Sequence, residues 1–255
     1  ERIRTGKFQN GGTVTALMTC AMISGLIDSA VLTGSEGILP KPQRITKISD
    51  VAACSTTKYM AAPTIAVVNQ VAEEGAENLG VVGTACQLKG LAKMRLNPLK
   101  KVDFADPVAL TIGLFCTWSL DTRQFLRFLE ERVDTDTIIG MDVPPPPAEL
   151  FLIRTPDTTL GIPLDEIRAM VLKGCSICPD MTAEWADISV GAFEGKSDWN
   201  CLIVRTEKGE QLIEQAVEQR YLMVEDFPQE SLDQLTKGAI NKKKRAAEAC
   251  EKEGK

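Results

Sequence analysis

Val108-Ala109-Leu110-Thr111-Ile112-Gly113-Leu114-Phe115-Cys116 is an unbroken, mostly apolar run of strand length that closes on a cysteine. A strand covered on both faces reads in this way, whereas a half-exposed strand alternates. Upstream, residues 79–84 read as a second strand of the same kind and 87–94 as a helix. Downstream, residues 122–132 carry Phe125, Leu126 and Leu129 at helical spacing, facing inward. Strand and helix alternate, which predicts a mixed α/β core.

Toward the amino terminus, Gly11-Gly12 precedes a stretch of small and apolar residues, 13–23, that Gly25 stops. This predicts a buried helix opening at a glycine pair. Residues 27–33 predict a short buried strand closing at Gly34, and the polar, proline-bearing residues 35–50 a loop. Pro63 opens a helix that places Ile65, Val68, Val71 and Ala72 on one face. Toward the carboxyl terminus, Pro144 to Pro147 is a stiff extended run, followed by an edge-like strand over 150–154. Residues 160–172 predict a short helix around Leu164, Ile167 and Met170. Residues 186–191 and 201–206 read as strands, and 208–219 as an amphipathic helix. From Ser231 onward the chain is helix-prone and highly charged, which predicts a solvated helical tail on the surface or against a partner. There is no internal repeat. Gly80-Val81-Val82-Gly83 does not fit a dinucleotide fingerprint, and no phosphate-loop motif occurs.

The most restrictive count is zero: the 255 residues include no histidine. That removes the commonest general acid–base group, the Ser–His and Cys–His nucleophile pairs, and every histidine-bearing metal site. Lys+Arg 29 against Asp+Glu 35 gives a net charge of −6, which argues against a nucleic-acid partner. Eight cysteines are too few for a disulfide-stapled secreted scaffold. No apolar run approaches the roughly 20 residues that a spanning helix needs. The expectation is a cytoplasmic protein without a transmembrane segment, at most peripheral to a membrane complex. The chain opens on Glu1 rather than Met and reads as trimmed, or as one segment of a longer polypeptide.

Cys175-Ser176-Ile177-Cys178, followed by Pro179-Asp180, is the one C-x-x-C. It reads as two neighbouring thiols, as a redox dithiol, as half of a zinc site or as half of an iron–sulfur site. A thioredoxin-like frame around it is not evident. A metal needs two further thiolates, and Cys86 and Cys116 each end a predicted strand. Two strand-end cysteines meeting a loop C-x-x-C would form a four-cysteine site at the carboxyl edge of the sheet, where α/β folds place ligands. Zinc and an iron–sulfur cluster both accept four thiolates. Cys20 and Cys201 lie in apolar stretches and read as core; Cys54 and Cys250 are not read as ligands.

Several segments together resemble the coenzyme F420 hydrogenase/dehydrogenase beta-subunit family. They begin with Gln9-Asn10-Gly11-Gly12-Thr13-Val14-Thr15-Ala16-Leu17 and Gly25-Leu26-Ile27-Asp28-Ser29-Ala30-Val31. Thr57-Lys58-Tyr59 follows, with Thr56 standing where the family pattern has glycine. Cys86-Gln87, Gly113-Leu114-Phe115-Cys116, Cys175-x-x-Cys178, Ala186-Asp187-Ile188-Ser189-Val190-Gly191 and Val204-Arg205-Thr206-x-x-Gly209 come next, in family order. The stretch after Gly191 keeps Trp199, but the glycines that surround it in the family are replaced.

The resemblance implies an α/β core carrying FAD and one 4Fe–4S cluster, with Cys86, Cys116, Cys175 and Cys178 as cluster ligands. It implies hydride exchange between coenzyme F420 and FAD, then single electrons to the cluster, chemistry that needs no acid–base side chain. It divides the chain into an amino-terminal region over 1–80, a flavin and iron–sulfur region over 81–229 and a helical tail over 230–255. Flavin contacts are implied for Gln9, Asn10, Gly11, Gly12, Thr13, Thr15, Thr57, Lys58, Tyr59, Gly191 and Arg205. Taken singly, these residues have plainer readings: a turn glycine pair, capping threonines, a solvated Lys58, and an ion pair of Arg205 with Asp187. The implied partners are other redox subunits of a hydrogenase, formate dehydrogenase or F420 dehydrogenase complex, and an upstream ferredoxin-like domain. Two alternatives stand beside this reading. One is a related FAD and iron–sulfur module using NAD(P)H or ferredoxin. The other, from a different class, is a zinc-bearing structural subunit.

Overall fold

The computed structural model describes residues 11–98, 106–144, 147–193, 196 and 198–252; Gln9, Asn10, Pro145 and Pro146 lie outside the described residues. Gly12, at φ 76°, opens α1 (Thr13–Ile23), which buries Leu17, Met18, Cys20 and Ala21. β1 (Ser29–Glu36) forms a hairpin with β2 (Leu39–Ile45), and a 3-10 turn (Ile48–Cys54) leads to α2 (Thr64–Glu73). β3 (Leu79–Thr84) runs directly into α3 (Ala85–Leu96), and β4 (Val108–Leu114) into a loop and α4 (Thr122–Glu130). β5 (Gly140–Asp142), β6 (Leu150–Arg154), β7 (Thr159–Pro163), α5 (Leu164–Arg168) and the single turn α6 (Lys173–Ser176) come next. β8 (Ile188–Ala192), β9 (Asn200–Val204), α7 (Glu207–Glu218) and α8 (Gln229–Lys252) complete the order.

Six strands form one sheet in the order β2-β1-β3-β4-β8-β9. β1, β3, β4 and β8 are parallel, and the two outer strands are antiparallel to their neighbours. The continuous apolar runs follow from burial on both faces. Ala30, Leu32 and Val82 face one core with Leu17, Met18, Leu212 and Ala216 of α1 and α7. Val31, Leu79 and Val81 face the other, with Val68, Val71, Leu88 and Leu91 of α2 and α3. Between β4 and β8 the chain makes an excursion with a core of its own, in which β5, β6 and β7 pack on α4 through Phe125, Leu129, Phe151 and Ile153.

Three local expectations are corrected. Residues 39–45 are not a loop but the edge strand β2. Pro40 and Pro42 sit two apart, so their missing N–H groups fall on the outer side of an edge, where a strand tolerates proline. Residues 150–154 form the central strand of the small sheet, not an edge. The first part of the expected helix over 160–172 is β7, and the helix proper is confined to Leu164–Arg168. Among the described residues no helix is long and apolar enough to cross a membrane.

Candidate metal centre

Thr84 ends β3 and caps α3: its side chain accepts from the Gln87 N–H, and its own N–H donates to Gln87 Oε1 at 2.8 Å. Cys86 is therefore the second residue of a helix, not the end of a strand as expected, and its Sγ lies 3.4 Å from Thr84 Oγ1. The capping box pulls the chain out of the sheet two residues earlier than the apolar pattern implied. Cys116 likewise stands two residues beyond the end of β4, where its N–H donates to Met181 O at 2.9 Å.

From Cys116 the chain enters the excursion, and near Cys175 it returns. The two passes run side by side. Leu120 bridges Met60 and Val171, Leu120 N–H donates to Tyr59 O at 2.8 Å, and Leu172 N–H donates to Ser119 O at 2.9 Å. This narrow neck brings Cys116 against Cys175 and Cys178, and Ser119 N–H donates to Cys175 Sγ at 3.3 Å.

Cys116 and Cys175 both sense the neighbouring thiols. Burial pushes Cys116 up to about 12, Lys242 draws it down, and charge on Cys175, Cys86 or Cys178 raises it further. Burial also raises Cys175, the Ser119 N–H lowers it, and Cys86 and Cys178 raise it. All four are free thiols. Among the described residues no three His, Cys, Asp or Glu side chains converge closely enough to hold a single metal ion. A tetrahedral zinc with Zn–S of about 2.3 Å needs sulfurs about 3.8 Å apart. Cys86, Cys175 and Cys178 all lie within electrostatic reach of Cys116. A cavity of about 260 Å³ opens beside them, lined by Cys86, Lys89 and Lys93 of α3 and by Cys178, Pro179 and Asp180.

Two residues that sequence reasoning passed over belong to this centre. Asp180 is buried; its Oδ2 accepts from Glu184 N–H at 2.9 Å, while Oδ1 has no hydrogen-bond partner among the described residues. Lys242 reaches in from α8, so the tail is docked rather than solvated. Its Nζ donates to Cys116 O at 2.5 Å and Asp180 O at 2.9 Å. The available signal was the pattern of small residues, Gly238, Ala239 and Ala246, at the positions flanking Lys242 on one helical stripe.

The residues expected to contact a flavin divide into two groups. Gly11, Gly12, Thr13 and Thr15 open α1 without a side-chain cap, and Thr13 N–H donates weakly to Asn200 Oδ1 at 3.4 Å beside the carboxyl end of β8. A Cβ on Gly11 would lie 2.5 Å from Asp198 O, so this glycine permits a close chain crossing. Thr57, Lys58 and Tyr59 leave the 3-10 turn and join the neck. Tyr59 stacks edge-on with Phe151 and stands 6.2 Å from Trp118, and its hydroxyl accepts from Val143 N–H. Lys58 is half-buried; it curls onto Ser55 O and Thr56, and burial lowers its pKa.

Gly191 and Arg205 are placed differently. The Gly191 Cα faces the Phe115 ring. Arg205 lies near the amino end of β8, where Nε donates to Ser189 Oγ at 3.1 Å and Nη2 to Thr182 Oγ1 at 2.9 Å. The expected ion pair of its side chain with Asp187 is replaced by these bonds. The Asp187 carboxylate instead accepts from Thr111 and Thr206.

Comparison with known proteins agrees with this architecture. The family described as "Coenzyme F420 hydrogenase/dehydrogenase, beta subunit" matches through its carboxyl-terminal part over residues 76–230 and through its amino-terminal part over residues 2–69. The coenzyme F420 hydrogenase subunit beta of Methanothermobacter thermautotrophicus is 31% identical over 215 residues, 82% of this chain and 75% of that protein. The coenzyme F420-dependent sulfite reductase of Methanocaldococcus jannaschii is 31% identical over 222 residues, 82% of this chain but 35% of that protein. A chain of the F420-reducing [NiFe] hydrogenase complex from Methanosarcina barkeri superposes with a TM-score of 0.86 at 27% identity, covering 96% of this chain and 86% of that one. The chain therefore belongs to the coenzyme F420 hydrogenase/dehydrogenase beta-subunit family.

Proposed function

We propose that this chain is an iron–sulfur flavoprotein subunit of an F420-linked hydrogenase or dehydrogenase complex, passing electrons between coenzyme F420 and a partner subunit. The observation that carries the reading is the convergence of Cys86, Cys116, Cys175 and Cys178 from three separate parts of the chain. The donor set fits a 4Fe–4S cluster: four thiols from three parts of the chain, with a backbone N–H on one sulfur and a buried ammonium behind two of the loops. When bound, FAD exchanges a hydride with the deazaflavin and hands on its electrons singly, which is what couples a two-electron carrier to a cluster.

The chain's own residues hold and insulate these groups. The four cysteines would supply the thiolates, and the Ser119 N–H would stabilise negative charge on Cys175. The uncapped start of α1, with Gly11, Gly12, Thr13 and Thr15, offers backbone N–H groups to a phosphate or to the flavin ring. Thr57, Lys58 and Tyr59 would approach from the neck, which also carries Cys116, so flavin and cluster would share one wall. Family membership supports F420 as the hydride partner. The expected flavin roles of Gly191 and Arg205 draw no support from their surroundings, which are filled by protein groups.

The test is anaerobic reconstitution of the chain with FAD, iron and sulfide, then reduction by reduced coenzyme F420, followed by visible spectroscopy beside an NADH control. Bleaching by the deazaflavin alone is expected. Bleaching by NADH alone would overturn the substrate, and a colourless chain holding stoichiometric zinc would overturn the redox reading altogether. Cys178→Ser is expected to lose most of the bound iron.

A further inference from the structure

Lys242 has an environment that a lysine in a charged tail does not ordinarily take. It is 4% exposed, whereas Lys243, Lys244 and Arg245 of the same run all face solvent. α8 lies close over the segment that follows Cys178: a Cβ on Gly238 would stand 3.4 Å from Met181 Cε. One turn further on, Lys242 Nζ spans the main-chain oxygens of Cys116 and Asp180. These oxygens belong to the two loops that carry Cys116 and Cys178.

Two carbonyls could be satisfied by a neutral donor. Burying an ammonium costs far more and demands an opposite charge. The nearby Asp180 forms no ion pair with it among the described residues: its Oδ2 accepts from Glu184 N–H and its Oδ1 makes no hydrogen bond there. Lys243 pairs outward with Glu184 at 2.6 Å, on the exposed side of the helix. Among the described residues Lys242 forms no ion pair, and its Nζ instead sits on the main-chain oxygens of the two loops that carry Cys116 and Cys178. We infer that Lys242 is a positioning residue of the cluster, clamping the Cys116 and Cys178 loops together while its positive charge raises the cluster's reduction potential. The inference rests on the four-thiolate cluster proposed above and adds to it a residue outside the matched family region, which ends at residue 230.

Reduction adds one negative charge to a cluster buried against this ammonium, so the reduced state gains more from it than the oxidised state. The full chain and its Lys242→Met, Lys242→Gln and Lys242→Arg variants would be reconstituted anaerobically with iron and sulfide. Iron per chain, the midpoint potential in a dithionite titration and the melting temperature of the metal-free chain would each be measured. At a fixed ambient potential, the two neutral variants are expected to shift the oxidised-to-reduced ratio at least tenfold toward oxidised, about 59 mV for a one-electron couple. Lys242→Arg should stay within threefold of the wild type.

A neutral variant holding full iron at an unchanged ratio overturns the inference and leaves the cluster reading standing. If both neutral variants take up no cluster, the metal-free melting temperature decides. An unchanged value supports charge compensation during assembly, as does a fall that Lys242→Arg reverses together with iron uptake; a fall with no iron uptake in any of the three variants makes Lys242 a steric brace alone and overturns the inference. A wild-type chain that takes up no cluster removes the proposed function and this inference together.

Discussion

The ring of Phe115 stands where a side chain on Gly191 would have to go: a Cβ built there would overlap the ring at Cδ2 and Cγ. Phe115 N–H also donates to Val190 O at 2.9 Å, so strand β8 both holds the backbone before Cys116 and leaves room for its neighbouring side chain. Gly191→Ala should therefore force the ring to move, at a cost of about 2 kcal/mol. Melting of the metal-free chain and iron uptake should both fall. The double variant Gly191→Ala/Phe115→Leu should recover at least half of the loss, because the two sites share one volume. Additive losses in the double variant would refute the shared-volume account.

Thr56 has φ 83°, a conformation that a β-branched residue adopts only under strain. The family pattern has glycine at this point, and the backbone angle supplies the reason. Thr56→Asn keeps an acceptor for Lys58 Nζ, now 2.6 Å from the threonine hydroxyl, and tolerates the left-handed region better. Stability should rise by about 1 kcal/mol, or about 2–4 °C in melting temperature for a domain of this size. A decrease would mean that the threonine contacts outweigh the backbone strain.

Arg205 separates two roles that sequence could not. Its bonds to Ser189 and Thr182 tie β9 to the segment between Cys178 and β8. Arg205→Met should cost about 2 kcal/mol, as expected for losing hydrogen bonds to a charged group. FAD affinity, measured by fluorescence quenching at a temperature where the variant remains folded, should stay within twofold of the wild type. A tenfold loss of affinity with unchanged melting would instead assign Arg205 to the flavin.

Cys201 lies in the core, and burial pushes its thiol up to about 11; Cys20, also buried, is raised in the same direction. A thiol whose folded pKa exceeds its unfolded value stabilises fully below the unfolded pKa and loses that contribution as pH rises through the folded one. The metal-free chain should accordingly lose stability from about pH 9 to pH 11. Cys201→Ala should be less stable at pH 7 because of the cavity, yet show a shallower decline above pH 9 in urea unfolding. Parallel declines would show that Cys201 does not contribute to the alkaline limb.

Much of the core was legible along the chain because burial on both faces leaves a local mark. β3, β4 and α1 read directly as apolar runs of the right length. β2 was not legible, since an edge strand bonded on one side only can hold Pro40 and Pro42 and so imitates a loop. The helical position of Cys86 was hidden for a different reason. Thr84 and Gln87 end the strand by hydrogen bonding, and hydrophobicity carries no trace of that.

The sequence by itself determined the α/β layering and the buried Cys20 and Cys201, and it singled out four further thiols as candidates. Only the tertiary structure decided what surrounds them. Lys242 is 126 residues from Cys116 and Arg205 is 23 from Thr182, and neither pairing leaves a local pattern. A lysine in a run of four cations reads as solvated until packing turns one helical stripe inward. The buried ammonium is met there by two main-chain oxygens, those of Cys116 and Asp180, which the fold brings together from distant parts of the chain.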